Sequence, residues 1–139
     1  DGTNLRVNVE DGKVVTDGKL KFAEADVNKG APMIVAGAYT NSVKGTKETA
    51  LYDIDATTGT FLKQAPPNDG VLGAVGKLGV MPKAIAFDIE TDASGGNTAW
   101  LLADGALHKV DLATGKASMV GKVTGLSAPV RDVAALPAS

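Results

Sequence analysis

Few side chains in this sequence are equipped for chemistry. The single histidine, His108, stands between Leu107 and Lys109. Strand alternation puts it on the face opposite Leu107, the place of a partly exposed strand histidine rather than of a ligand or base. With no cysteine in 139 residues, a metal at His108 would need carboxylates as its other ligands. In Phe87-Asp88-Ile89-Glu90-Thr91-Asp92, alternation sets Asp88, Glu90 and Asp92 on one face ahead of Ser94-Gly95-Gly96, and oxygen ligands so spaced can bind Ca²⁺. The grammar of a twelve-residue calcium loop fails, because its closing glutamate would fall at Ala99. A solvated strand face ending in a glycine turn accounts for all three. Asp53 and Asp55 also share a face, with Asp55 occupied by a turn. Asp88, Glu90, Asp92 and His108 are thus the candidate metal ligands, no catalytic residue is assigned, and no cofactor is called for.

Other chemistries are excluded by composition or spacing. The glycine series Gly70, Gly73, Gly76 and Gly79 fits neither phosphate loop: G-x-G-x-x-G is absent, and five residues before Gly76-Lys77 stands Val71. Small residues that let one strand pass close to its neighbour explain the series. A hydrolase triad would have His108 as its only base, and no nucleophile motif accompanies it. Absence of cysteine excludes disulfides and thiolate chemistry. Fourteen basic against sixteen acidic residues give a net charge of -2, which offers nucleic acid no excess positive field. No run of about 18 apolar residues is present to insert into a membrane. Asn41, Asn68 and Asp69 fall in loops where binding residues commonly sit, although turn formation explains them equally.

The elements that must position these residues are strands. Glycine recurs too often for sustained helical periodicity, and only Ala23 to Asn28 suggests a short helical turn. Leu5, Val7 and Val9 alternate with Arg6, Asn8 and Glu10, and Ile85, Phe87 and Ile89 alternate with Ala84, Ala86 and Asp88. Asp11-Gly12, Asp17-Gly18, Asn68-Asp69-Gly70, Gly95-Gly96-Asn97 and Asp104-Gly105 punctuate such runs, giving about ten strands. With 44% hydrophobic residues and few rings, the core is aliphatic, and Trp100 in Thr98-Ala99-Trp100-Leu101-Leu102 is expected inside it.

An internal repeat organises the strands. Leu51, Ile54, Asp55, Thr58 and Gly59 align without a gap on Leu107, Val110, Asp111, Thr114 and Gly115, an offset of 107 - 51 = 56, and Leu5 to Lys13 is a looser copy. Each reads as strand, tight turn, strand: the aspartate accepts backbone N–H groups across the turn, and the glycine supplies positive φ. With the flanking strands Met33 to Tyr39, Val71 to Leu78, Ala84 to Ile89, Thr98 to Ala103 and Lys116 to Val123, the expected fold is all-β. It consists of antiparallel blades of a partial β-propeller, about two and a half in number. The divisions are 1–30 as a half blade, 31–80 and 81–125 as blades, and 126–139 as the inner strand of a further blade, built on Val130 to Leu136.

The stretches Asp1-Gly-Thr-Asn-Leu-Arg-Val-Asn, Ala38-Tyr-Thr-Asn-Ser, Leu51-Tyr-Asp-Ile-Asp, Gln64-Ala-Pro-Pro-Asn-Asp-Gly, Val75-Gly-Lys-Leu-Gly-Val and Leu112-Ala-Thr-Gly resemble the bacterial domain-of-unknown-function family 4394 over nearly the whole chain. The resemblance implies a propeller-like fold, the C-terminal portion of a longer domain, and attachment to secreted or surface proteins. It brings no catalytic residues. An extracellular or surface location is therefore expected, with a start at Asp1 that is processed or truncated.

Two function classes follow. The first is a module acting by binding or self-association, in which a homo-oligomer covers open blade edges. The alternative is a superoxide-dismutase-like antioxidant enzyme, implied by the resemblance to small heat-stable proteins. Familiar dismutase metal sites need several histidines or a cysteine. Such an enzyme would be metal-free or carboxylate-based, with Tyr39, Tyr52 or Trp100 as redox-active rings, and superoxide removal before and after chelation separates the classes.

Overall fold

The computed structural model describes residues 1–136, and Pro137 to Ser139 lie outside the described residues. Eleven strands form among the described residues: β1 (Leu5–Val7), β2 (Val14–Thr16), β3 (Lys21–Phe22), β4 (Ile34–Tyr39), β5 (Leu51–Asp55), β6 (Thr60–Gln64), β7 (Val71–Lys77), β8 (Ile85–Thr91), β9 (Asn97–Ala103), β10 (Ala106–Val110) and β11 (Ala117–Lys122). They make a two-stranded sheet β1-β2, a five-stranded sheet β3-β7-β6-β5-β4 and a four-stranded sheet β11-β10-β9-β8, none of them closed. Every pair is antiparallel except β3 with β7. The all-β expectation is met, with a single 3-10 turn at Pro67–Asp69 as the only helical element among the described residues.

The two larger sheets, each built on a four-stranded meander, β4 to β7 and β8 to β11, pack face to face. Ile54, Phe61 and Leu78 from one meet Phe87, Ile89, Leu101 and Val110 from the other. Phe61 is central: Tyr52 stacks on it at 5.0 Å, and Phe87 meets it edge-on at 5.8 Å. Asn97 and Thr91 tie the sheets at one end, where Asn41 N donates to Asn97 Oδ1 (2.8 Å) and Ser42 N to Thr91 Oγ1 (3.0 Å). Asn41 is therefore a bracket between sheets. The other face of the five-stranded sheet carries the wholly buried Leu62 and Leu72. The segment after β3 is pinned to it through Asp26, whose carboxylate accepts from Asn28 N and Ala74 N.

The turn chemistry holds at both aligned copies. Asp55 Oδ1 accepts from Thr58 N (2.8 Å) and Thr58 Oγ1 (3.0 Å), and Asp111 Oδ1 accepts from Ala113 N (2.8 Å) and Thr114 N (3.0 Å). Gly59 and Gly115 take φ of 61° and 74°. The copies nevertheless occupy different places, since β5–β6 joins the second and third strands of its meander and β10–β11 the third and fourth. The 56-residue offset is a shared turn and not the period of the sheets.

Burial separates the two aspartates. Asp55 is fully buried and its Oδ2 also accepts from Met33 N at 2.6 Å, whereas the partners of Asp111 are exposed and water replaces it there. Asp55→Ala is expected to cost about 2–3 kcal/mol through its stranded donors, and Asp111→Ala far less. Urea midpoints of the two variants check the order.

Three expectations need correction. Ala23 to Asn28 is a single turn closed by Asp26 N donating to Ala23 O, with no helix following. Val130 to Leu136 forms no strand. It lies against the face of β8, held by Ala135 N donating to Asp88 Oδ2 at 2.7 Å, and β8 is already flanked by β9 in its ladder and by β4 of the other sheet. Val130-Arg-Asp-Val-Ala-Ala-Leu136 lacks the strict alternation that gives a strand one buried face, and its bond to β8 runs to a side chain rather than to the backbone ladder. Of the four spaced glycines, only Gly70 and Gly76 serve close backbone approach; Gly73 has no tight neighbour, and Gly79, at φ 79°, is a turn residue.

Candidate functional site

The structure does not bring the sequence-derived ligand candidates together. His108 is buried, at 6% exposure, where partial exposure was expected. The face opposite Leu107 is the one packed on the five-stranded sheet, in line with Leu101 and Phe87 across the ladder. Its Nδ1 lies 2.9 Å from Ala106 O. A carbonyl only accepts, so Nδ1 carries the proton. Asp88 and Glu90 project from the opposite face, cross-strand from Trp100 and Thr98. Each is engaged locally: Asp88 by Ala135 N, and Glu90 Oε2 by Trp100 Nε1 at 3.0 Å. Asp92 ends the strand in a turn, accepting from Ser94 Oγ, Ser94 N and Gly96 N, and these bonds, that from the Ser94 hydroxyl foremost, hold its carboxyl below the ordinary range. Among the described residues no three His, Asp or Glu side chains converge to hold a metal.

Trp100 also departs from expectation. Ala99 and Leu101 take the core positions of β9, so Trp100 is displayed on the outer face, half-buried, with Lys109 Nζ 4.9 Å above its ring. Tyr52 is in the core against Phe61, and Tyr39 is 43% exposed beside the β1–β2 hairpin.

The residue with the most unusual environment is one that the sequence presented only as a neighbour of Asp55. Asp53, on β5, is 4% exposed, and its Oδ2 has no hydrogen-bond partner. Its cross-strand partner is Gly37, where a Cβ would come within 2.5 Å of Asp53 Oδ1. Glycine inside β4 is what leaves room for the carboxyl. Burial without compensation pushes its pKa up to about 7.

Tyr39 lies on the same strand face as Gly37. Burial, and then the charges of Asp53 and Asp17, push its hydroxyl up. Arg6 closes the hairpin side, with Nε and one terminal nitrogen each 3.0 Å from an oxygen of Asp17. A cleft of about 250 Å³ separates Arg6 and Asp17 from Tyr39, Leu51 and Gln64. The charges of Arg6 and Asp17 in its lining are paired with each other.

Neither the curated proteins nor the solved structures compared with this chain gave a match. The family model described as Domain of unknown function (DUF4394) matches residues 1–134. By that match, over almost its whole length, the chain belongs to the DUF4394 family.

Proposed function

We propose that this chain is a propeller-like module that acts by self-association and binding rather than by catalysis. The observation that carries the reading is apolar surface left open at two places: Leu5, Val7 and Val14 on the β1–β2 hairpin, and Met119 and Val120 on β11, are all more than half exposed. Scattered exposed apolar residues are ordinary, but two clusters on free edge strands favour pairing. The blade reading is supported by two four-stranded meanders whose first strands, β4 and β8, lie side by side and whose last strands, β7 and β11, touch end to start.

In this reading β1 and β2 are the outer part of a preceding blade. Self-association then covers the open ends of the row. Size-exclusion chromatography with light scattering is expected to give a multiple of 14.1 kDa at micromolar concentrations. A monomer throughout that range overturns the proposal.

A further inference from the structure

Two junctions inside the chain are built alike. At the first, Gly18 and Gly70 meet backbone to backbone: a Cβ on Gly18 would come within 2.6 Å of Asp69 O, and one on Gly70 would strike Gly18 O. Next to this contact Lys21 N donates to Gly70 O at 2.9 Å. At the second, Gly76 and Gly115 meet: a Cβ on Gly76 would strike Thr114 O, and one on Gly115 would lie 3.1 Å from Gly76 C. Beside it Ala117 N donates to Leu78 O at 2.9 Å. The donor changes sides, but in both cases the tail of one outer strand is laid against the start of the next.

The four glycines belong to one repeated pattern, G-x5-G-K-[L/V]. It occurs as Gly12 to Leu20, Gly70 to Leu78 and Gly115 to Val123, with an interval of six between glycines each time (12 to 18, 70 to 76, 115 to 121). The leading glycine has positive φ in all three, at 71°, 66° and 74°, and opens the outer strand β2, β7 or β11. The trailing glycine of the first copy docks on the leading glycine of the second, and that of the second on the third. Two members are left over. Gly121 ends the row, Gly12 begins it, and a Cβ on either would meet nothing within 4 Å. Burial follows occupancy: Leu78, behind the docked Gly76, is fully buried, whereas Val123, behind the free Gly121, is 40% exposed.

We infer that Gly121-Lys122-Val123 of one copy docks on the Gly12 turn of a second copy, reproducing between molecules the glycine-to-glycine junction made twice within each. The surfaces that meet are different, so the association is head-to-tail, closing into a ring if the rotation permits. The occupant is a second copy because the two tails of this pattern that are occupied, at Gly18 and Gly76, are each seated on a leading-glycine turn of this chain. The inference rests on the self-association reading and specifies its geometry.

Gly121→Val blocks the tail, and because its surroundings are open it should leave the urea midpoint unchanged. Gly12→Asn blocks the head with a residue that tolerates positive φ. Light scattering is expected to find each variant monomeric alone, while an equimolar mixture, in which one good head meets one good tail, forms a species of two chains. A wild-type chain that stays monomeric removes the self-association reading and this inference with it. Wild-type association that both variants retain, or variants that fail to combine on mixing, overturns the head-to-tail junction alone.

Discussion

Gly76→Ala is expected to destabilise the fold by at least about 3 kcal/mol, and Gly76→Val to prevent folding. Within a strand, glycine to alanine ordinarily gains about 0.5–1 kcal/mol because glycine has more conformational freedom to lose. Here the added Cβ would strike Thr114 O, which belongs to backbone and has no rotamer to yield. Relief requires β7 and the β10–β11 turn to separate. That would break the Ala117 N to Leu78 O bond and open the core where Phe61 Cβ lies only 2.9 Å from the Cβ position of Gly115. The same chain contains the control. Gly121→Ala alters the matching glycine of the third copy, where nothing lies within 4 Å, and should be neutral or slightly stabilising. Urea midpoints at low protein concentration decide the matter, and equal losses at the two sites would show that close approach is not what glycine provides.

The second large effect is a fall in stability between pH 5 and pH 8, arising from Asp53. Its carboxyl has a pKa of about 7 in the folded chain against 3.8 as the ordinary value. Between these two values the folded state holds a proton that the unfolded chain has released, so stability declines as pH rises and levels off above about 7. Two units of that span lie above pH 5, an effect of about 3 kcal/mol. The remaining shifted carboxyls, Asp17, Asp26, Asp92, Asp104 and Asp111, are all lowered by hydrogen bonds. Their contribution has the opposite sign and is lost only as pH falls through those lowered values, below the window.

Tyr39, shifted upward from 10, titrates above the window. Asp53→Asn should therefore flatten the dependence and make the variant more stable than the parent at pH 8. Urea titrations of both proteins at pH 5, 6, 7 and 8 test this. A parental slope that persists in Asp53→Asn would assign the proton to another group.

Much of the local structure could be read from residue order. Asp55 and Asp111 form their turns through carboxylates reaching three residues along the chain, and Gly59 and Gly115 take positive φ, all short-range chemistry that travels with the sequence. Alternation likewise located the strand around Phe87. Placement of the strands among one another was a different matter. His108 was correctly set opposite Leu107, yet its burial depended on which sheet covered that face. Trp100 was assigned inward on its apolar neighbours, whereas the pleat gives the core to Ala99 and Leu101. Val130 to Leu136 is apolar enough to read as a strand, but it is held by the Asp88 side chain and joins no ladder.

The candidate site was the least legible part. A lone aspartate opposite a glycine, Asp53 and Gly37, has no distinguishing feature until both faces of its sheet are covered. The G-x5-G-K-[L/V] pattern was present in residue order throughout, but the longer Leu51/Leu107 match pointed to an offset that the sheets do not follow. By itself, then, the sequence determined an all-β chain, its turns, and the absence of thiol and multi-histidine chemistry, because those depend on composition and on neighbours a few residues apart. Only the tertiary structure decided which faces are buried, which carboxylate is stranded, and which glycines are occupied, because each depends on a backbone or sheet brought near from a distant part of the chain.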